Sequence, residues 1–284
     1  MTEPVAGESA RLAGRFELVS EVHVGGMSRV FRAEDAERGG FVALKRPVRG
    51  GERELGRFQG ECAILAELRH PGIVGFVAAG GAGLDGAYLA TEWLAGETLG
   101  ARLARGPLTL AESLAVARQA AEALAAAHRA RVVHRDVKPA NLMLAGQNLT
   151  LIDFGIARRE VGTGLSAHVS FDGGTWAYMS PEQVMGAAEL GPRADVFSLG
   201  CVLFECVSGA PAFPSDRASA TIAKVWQEPP LLSARSAGVP SELVTFVRKC
   251  MSKDPSERPR DGSAVAVALA ALGPLPDTQA EPRG

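Results

Sequence analysis

The sequence predicts an α+β chain of two lobes, on three observations. Short strand-like runs broken by glycine turns fill residues 16–99. From Thr109 onward the apolar residues recur at helical spacing instead. The 284 residues, 46% of them hydrophobic, are also enough to bury a substantial core. A β-rich segment followed by an α-rich one is the pattern of an α+β architecture.

Taken in order, the first strands are expected at residues 16–24, 29–33 and 41–45, separated by Gly25-Gly26 and Gly39-Gly40. A helix over residues 52–68 follows, with Phe58, Glu61, Leu65 and Leu68 on one face. Glu61 places a carboxylate in an apolar stripe, so it either meets a cation or reaches water from the edge. Residues 73–79 and 87–94 read as two more strands. Thr109-Leu110-Ala111-Glu112 is a capping box that opens an Ala/Leu-rich helix running to about His128. Later helices are expected at 181–185, 194–208, 217–226, 241–251 and 263–272. Residues 1–10 and the Pro-containing residues 273–284 read as flexible tails. A single domain then spans residues 11–272, with its first lobe at about 11–94 and its second at about 95–272.

Composition removes several classes of function. With 30 Lys+Arg against 32 Asp+Glu, the chain has no overall basic field for a nucleic acid partner. No apolar run approaches the ~20 residues that span a bilayer, and residues 1–10 lack a basic-then-apolar signal pattern. Cys62, Cys201, Cys206 and Cys250 show neither CxxC spacing nor a secreted framework, so reduced thiols and a cytoplasmic location are expected. Only five of the 30 basic residues are lysines, at 45, 138, 224, 249 and 253. Each of them invites a reason.

The chemistry concentrates in His134-Arg135-Asp136-Val137-Lys138-Pro139-Ala140-Asn141 and in Asp153-Phe154-Gly155. Residues 142–144 and 149–152 pattern as a hairpin, which brings Asn141 and Asp153 to the same open end. An amide oxygen and a carboxylate converging there suit a hard cation such as Mg²⁺. Asp136 lies in the loop feeding that end, where it could take a proton from a hydroxyl nucleophile. Lys138 is placed to offset the charge of a phosphoryl group in transfer.

These two segments resemble the catalytic and metal-binding loops of the protein kinases. The resemblance runs from about Arg15 to Leu272. Val42-Ala43-Leu44-Lys45 resembles the strand-three motif, which implies Lys45 on the α/β-phosphates and Glu61 as its partner. Ser180-Pro181-Glu182 resembles the segment closing the activation loop, Asp195 the aspartate bracing the catalytic loop, and Arg258 the arginine pairing with Glu182. The stretch His23-Val24-Gly25-Gly26-Met27-Ser28-Arg29-Val30 corresponds to the glycine loop over the phosphates. Only Gly25 keeps its family position there, because His23 and Ser28 replace the first and third glycines. The Gly-Gly-Met-Ser form is similar to that of bacterial, eukaryotic-like Ser/Thr kinases. A side chain at 23 either stiffens this loop over the nucleotide or points to solvent.

The same resemblance implies that Val22, Val30 and Ala43 cover an adenine with Met143 beneath it. Thr91 would be the gatekeeper and Glu92-Trp93-Leu94 the segment reading the adenine edge. Leu65, Phe76, His134 and Phe154 would stack as a packing spine, which leaves His134 out of acid/base chemistry. Arg135 implies a phosphate receiver for an activation loop offering Thr163, Ser166, Ser170 and Thr175, with Thr175 instead resembling the threonine that contacts Asp136 and Lys138. Gly81-Ala82-Gly83-Leu84-Asp85-Gly86 matches the dinucleotide fingerprint GxGxxG, but in this context it is expected to be a hairpin turn.

The expected function is therefore a Ser/Thr protein kinase using ATP and Mg²⁺ (or Mn²⁺) on protein hydroxyls, its own activation loop included, through a possible homodimer. The alternative is a pseudokinase that binds nucleotide or partners without turnover.

Overall fold

The computed structural model describes residues 11–25, 28–48, 51–155, 157–159, 175–278 and 281–282. Gly26, Met27, Thr163, Ser166 and Ser170 lie outside them. The chain divides into two compact units, residues 1–95 and 96–284.

The first unit is built on an antiparallel sheet: β1 (Phe16–Val24), β2 (Ser28–Asp35), β3 (Phe41–Pro47), β4 (Phe76–Gly80) and β5 (Tyr88–Glu92), in the order β1-β2-β3-β5-β4. One face alternates inward, with Phe16, Phe31, Ala33, Val42, Leu44, Tyr88 and Ala90 forming its core. Phe16 meets Tyr88 edge-on at 5.4 Å. Arg15 locks the end of this hairpin, donating to both oxygens of Asp35 at 2.7 and 2.6 Å. That fork holds the Asp35 carboxyl down at about 2. β4 starts three residues later than expected, because Ile73 and Val74 are buried in the turn preceding it. The GxGxxG stretch is part of the connection between antiparallel β4 and β5, with a short helical turn at Gly83–Gly86. Gly81 sits at φ +84°, and a Cβ there would lie 1.8 Å from the Gly86 carbonyl oxygen. Its glycines serve the turn. Helix α1 (Glu52–Glu67) buries Phe58, Glu61, Ile64 and Leu65.

The second unit is mainly helical. A short strand β6 (Glu97–Thr98) leads into α2 (Leu99–Leu103), a helix too short to show a period in the sequence. Then comes α3 (Leu110–Arg129), whose Thr109–Glu112 capping box is formed as the sequence predicts. The hairpin β7 (Leu142–Ala145) and β8 (Asn148–Leu151) joins β6 in a small sheet. Helix α4 (Pro192–Ser208) is buried along thirteen of its seventeen residues, which makes it the core of the unit. Around it lie α5 (Arg217–Trp226), α6 (Ser241–Cys250) and α7 (Gly262–Ala271). Gly262 is required where α7 meets α3, since a Cβ would lie 2.4 Å from the Ala125 backbone nitrogen. The Pro-containing tail lacks an apolar period, yet its backbone is engaged. The Leu110 N–H donates to the Thr278 carbonyl at 3.0 Å, and the Thr109 hydroxyl donates to Asp277. An N–H in the first turn of a helix has no partner within its own helix, and this tail supplies one.

Candidate active site

In the first unit the site is a half-exposed sheet face opposite the core. β-pairing places Val30 across from Lys45 and Ala43 across from Thr91, so these four share one face. Lys45 reaches across to α1, donating to Glu61 Oε1 at 2.7 Å and Oε2 at 2.9 Å. Glu61 is 3% exposed, so the carboxylate in the apolar stripe has its cation. Val22 falls at a bulge in β1, where pairing skips from Glu21 to His23, and stays exposed. His23 is exposed and leans over Gly25, and a Cβ on that glycine would sit 3.3 Å from the imidazole Nε2. Solvent exposure and coverage of the loop thus hold together. Val24 is exposed and Ser28 begins β2, its carbonyl accepting from the Gly25 N–H at 2.9 Å. Glu92 spends its N–H on the Gly75 carbonyl, and Trp93 and Leu94 continue beyond the strand half-buried.

In the second unit the turn of β7–β8 brings Asn141 and Asp153 together, linked by the Ile152 N–H to the Asn141 carbonyl at 2.9 Å. Asn141 donates Nδ2 to the Asp136 carbonyl at 2.8 Å and to Asp136 Oδ2 at 2.9 Å. Its amide oxygen is the acceptor left for a cation. Asp153 stands at φ 60° and Arg135 at φ 69°, strained positions for residues with a Cβ and typical of working sites. Met143 pairs with Thr98 and Thr150 in the small sheet. Lys138 Nζ lies 2.9 Å from Asp136 Oδ2 and donates to the Thr175 hydroxyl at 2.8 Å. Asp136 thus has Oδ2 clamped twice, while Oδ1 is buried with no hydrogen-bond partner among the described residues. Burial pushes the Asp136 carboxyl up, Lys138 pulls it back and Asp153 adds to the rise.

The loop carrying Asp136 is fixed from beneath. Asp195, fully buried on α4, accepts from the His134 N–H at 2.8 Å, the Arg135 N–H at 2.7 Å and His128 Nε2 at 2.9 Å. Burial works to raise this carboxyl, but the His128 bond and nearby charges outweigh it and hold it low. His128 Nδ1 accepts from the Gly262 N–H at 3.1 Å, which fixes its proton on Nε2. His134 uses the same tautomer, accepting from the Asp136 N–H and donating to the Ile152 carbonyl. Its ring meets Phe154 edge-on at 4.6 Å. Gln183 grips the Arg135 carbonyl at 2.8 Å from the other side. Arg258 forks onto Glu182 at 2.7 and 2.9 Å, as expected.

Sequence reasoning missed His128, Gln183 and Lys224. The first two carry no motif of their own. Lysine scarcity flagged Lys224 without giving it a task.

The oxygen donors fit a hard cation. Among the described residues no three His, Cys, Asp or Glu side chains could hold a metal alone. A cation on Asn141 and Asp153 would therefore need further ligands from outside these side chains.

An arrangement with a fixed acceptor carboxylate, an adjacent ammonium and a pair of cation ligands defines a phosphoryl-transfer class of site. The family model for the protein kinase domain matches residues 16–268, and the chain belongs to that family. The family implies ATP and a divalent metal ion. Among its relatives, the serine/threonine-protein kinase pkn2 of Myxococcus xanthus is 34% identical over 94% of this chain and 33% of its own length. PknB of Mycobacterium tuberculosis is 36% identical over 88% of this chain and 41% of its own. PknA of the same species is 35% identical over 92% and 62% respectively. The chain thus spans between a third and three fifths of these relatives. Among the described residues no helix is long and apolar enough to cross a membrane.

Proposed function

We propose that this chain is the catalytic domain of a protein-serine/threonine kinase that uses ATP with Mg²⁺ or Mn²⁺. The observation that carries the reading is Asp136, with Oδ2 held by Asn141 and Lys138 and Oδ1 left for an incoming donor. A substrate Ser or Thr hydroxyl fits that oxygen. As its oxygen bonds to the γ-phosphorus, its proton passes to Asp136 Oδ1, the bond from that phosphorus to the bridging oxygen breaks, and ADP leaves. Lys138 offsets the charge on the moving group, and Lys45, oriented by Glu61, takes the α/β-phosphates. Asn141 and Asp153 would hold a divalent cation, which would supply further neutralisation of the phosphates. Val22, Val30, Ala43, Thr91 and Met143 would enclose the adenine, with Glu92, Trp93 and Leu94 at its edge and residues 23–28 over the phosphates.

Regulation belongs to the same reading. Thr163, Ser166 and Ser170 are the proposed autophosphorylation sites, reached in a homodimer, with Arg135 as the phosphate receiver. Thr175 instead positions Lys138. The partners are proteins presenting Ser or Thr. A cytoplasmic location fits the need for ATP and the four unpaired thiols.

Radiolabelled ATP with purified chain and a generic basic protein tests the activity. Label on the protein or on the chain, absent with Asp136→Asn, is expected. Equal label in both would leave a pseudokinase. Mass spectrometry of active enzyme that finds residues 163, 166 and 170 unmodified would remove the autophosphorylation sites.

A further inference from the structure

Lys224 is the largest charged side chain among the fully buried residues, 1% exposed on α5. A buried ammonium ordinarily has a carboxylate beside it. Here no Asp or Glu among the described residues forms an ion pair with it. Instead Nζ donates to the Trp176 backbone carbonyl. Two aromatic rings wall the ammonium, Phe213 with its centroid at 4.9 Å and Phe197 at 5.7 Å. The Phe197 ring also carries Arg258 at 5.0 Å on its own account, so the cage sits beside a second cation rather than a countercharge. Burial draws the Lys224 ammonium down to about 8, against a small opposing effect of Cys201. An apolar side chain would pack there at less cost, so packing alone does not explain a lysine.

What the lysine holds is informative. Trp176 lies in the helical turn Thr175–Ala177, closed by the Tyr178 N–H to the Thr175 carbonyl at 3.1 Å. Thr175 receives Lys138, and Lys138 lies on Asp136. Tyr178 is tied to α4 through Ser198 to its carbonyl at 2.8 Å and through its hydroxyl to Glu205 at 2.6 Å. Three groups from α4 and α5 therefore hold Trp176 and Tyr178, and the Trp176 carbonyl gripped by Lys224 is the one that directly follows Thr175. We infer that Lys224 is a positioning residue for phosphoryl transfer: by pinning the Trp176 carbonyl, it keeps Thr175 against Lys138 and so keeps Lys138 beside Asp136. The step rests on the kinase reading, and it gives the third lysine a task of the same kind as the first two, a compact cation set against oxygen.

The test is Lys224→Met in the whole chain, which keeps length and apolar volume and removes the donor. The turn should loosen, so exchange of the Tyr178 amide should quicken at least tenfold. Peptide kcat should fall about tenfold, while the KM for ATP stays within twofold and the melting temperature within about 3 °C, a split that a merely structural role would not give. Transfer within twofold of the parent overturns the proposal, and so does a loss of transfer with Tyr178 exchange unchanged. If Lys224→Met does not fold, Lys224→Gln, which keeps an N–H without the charge, is read by the same measurements. A parent without transfer would refute the kinase reading, and the exchange rate would then still decide whether Lys224 holds the turn.

Discussion

Each unit contains a buried cation–carboxylate pair, and the two are built differently. In the second unit Arg258 is fully enclosed: its fork meets both Glu182 oxygens, and its remaining N–H groups reach the carbonyls of Ser252, Arg193 and Lys253. In the first unit Lys45 keeps 17% of its side chain exposed while resting on Glu61. A planar guanidinium with every donor used makes a joint. A point charge on a flexible stem, held by Glu61 and partly open to solvent, is of the kind that suits phosphate. On the proposed function, the difference separates charge that holds the fold from charge that meets the phosphates, although the two pairs look alike in sequence.

That contrast can be broken at either end. Between these two pairs, the larger effect on transfer is expected from Lys45→Arg, which keeps the charge and changes its shape. Transfer should drop at least a hundredfold in a steady-state assay while the melting temperature stays within about 2 °C. The converse holds for Arg258→Met. Removing one partner of a buried pair costs about 3–5 kcal/mol, which for a chain of this size lowers the melting temperature by roughly 10 °C. Transfer measured well below that temperature should fall much less. If Lys45→Arg unfolds the chain, or Arg258→Met silences it while still folded, the division fails.

Asp195→Ala probes the ground between them. It should both destabilise, by leaving His128 and two loop N–H groups unpaired, and slow transfer by roughly tenfold, because the loop under Asp136 loses its brace. Calorimetry and a transfer assay on one preparation read both effects.

Much of this was legible beforehand because each motif residue's chemistry needs its neighbours. Glu61 had either to meet a cation or to reach water, and Lys45 is its cation. Asn141 and Asp153 converge because a hairpin joins them. The strands and helices with clear alternation or period fell within a few residues of expectation, as at Phe16–Val24 and Arg217–Trp226. What escaped were side chains whose role is set by a distant backbone atom. His128 matters because the Gly262 N–H fixes its tautomer 134 residues away, and Gln183 matters because it finds the Arg135 carbonyl. No spacing encodes such pairs. The short helix α2 was missed because five residues are too few to show a period.

The smallest predicted effect sharpens the view of Lys224 as an uncompensated charge. Its ammonium titrates near 8 in the folded chain and at about 10.4 when unfolded. Below about pH 8 both states carry the proton and the folded state bears the full cost. Between about 8 and 10 the folded state releases it first, so fewer protons are bound folded than unfolded and stability rises with pH. Lys224→Met lacks this group. Any stability advantage it has over the parent should therefore be greatest below pH 8 and shrink by pH 10, as paired denaturant melts would show. A constant difference across that range would mean the ammonium is not penalised.

The central claim is that Asp136 Oδ1 is the oxygen that takes the acceptor's proton. Single-turnover transfer from labelled ATP to a Ser/Thr peptide, compared between the parent and Asp136→Asn at matched ATP occupancy, measures it directly. Asparagine keeps the shape and cannot accept that proton, so the rate should fall by about 10²–10⁴ while nucleotide binding is preserved. Equal rates in the two proteins would contradict it.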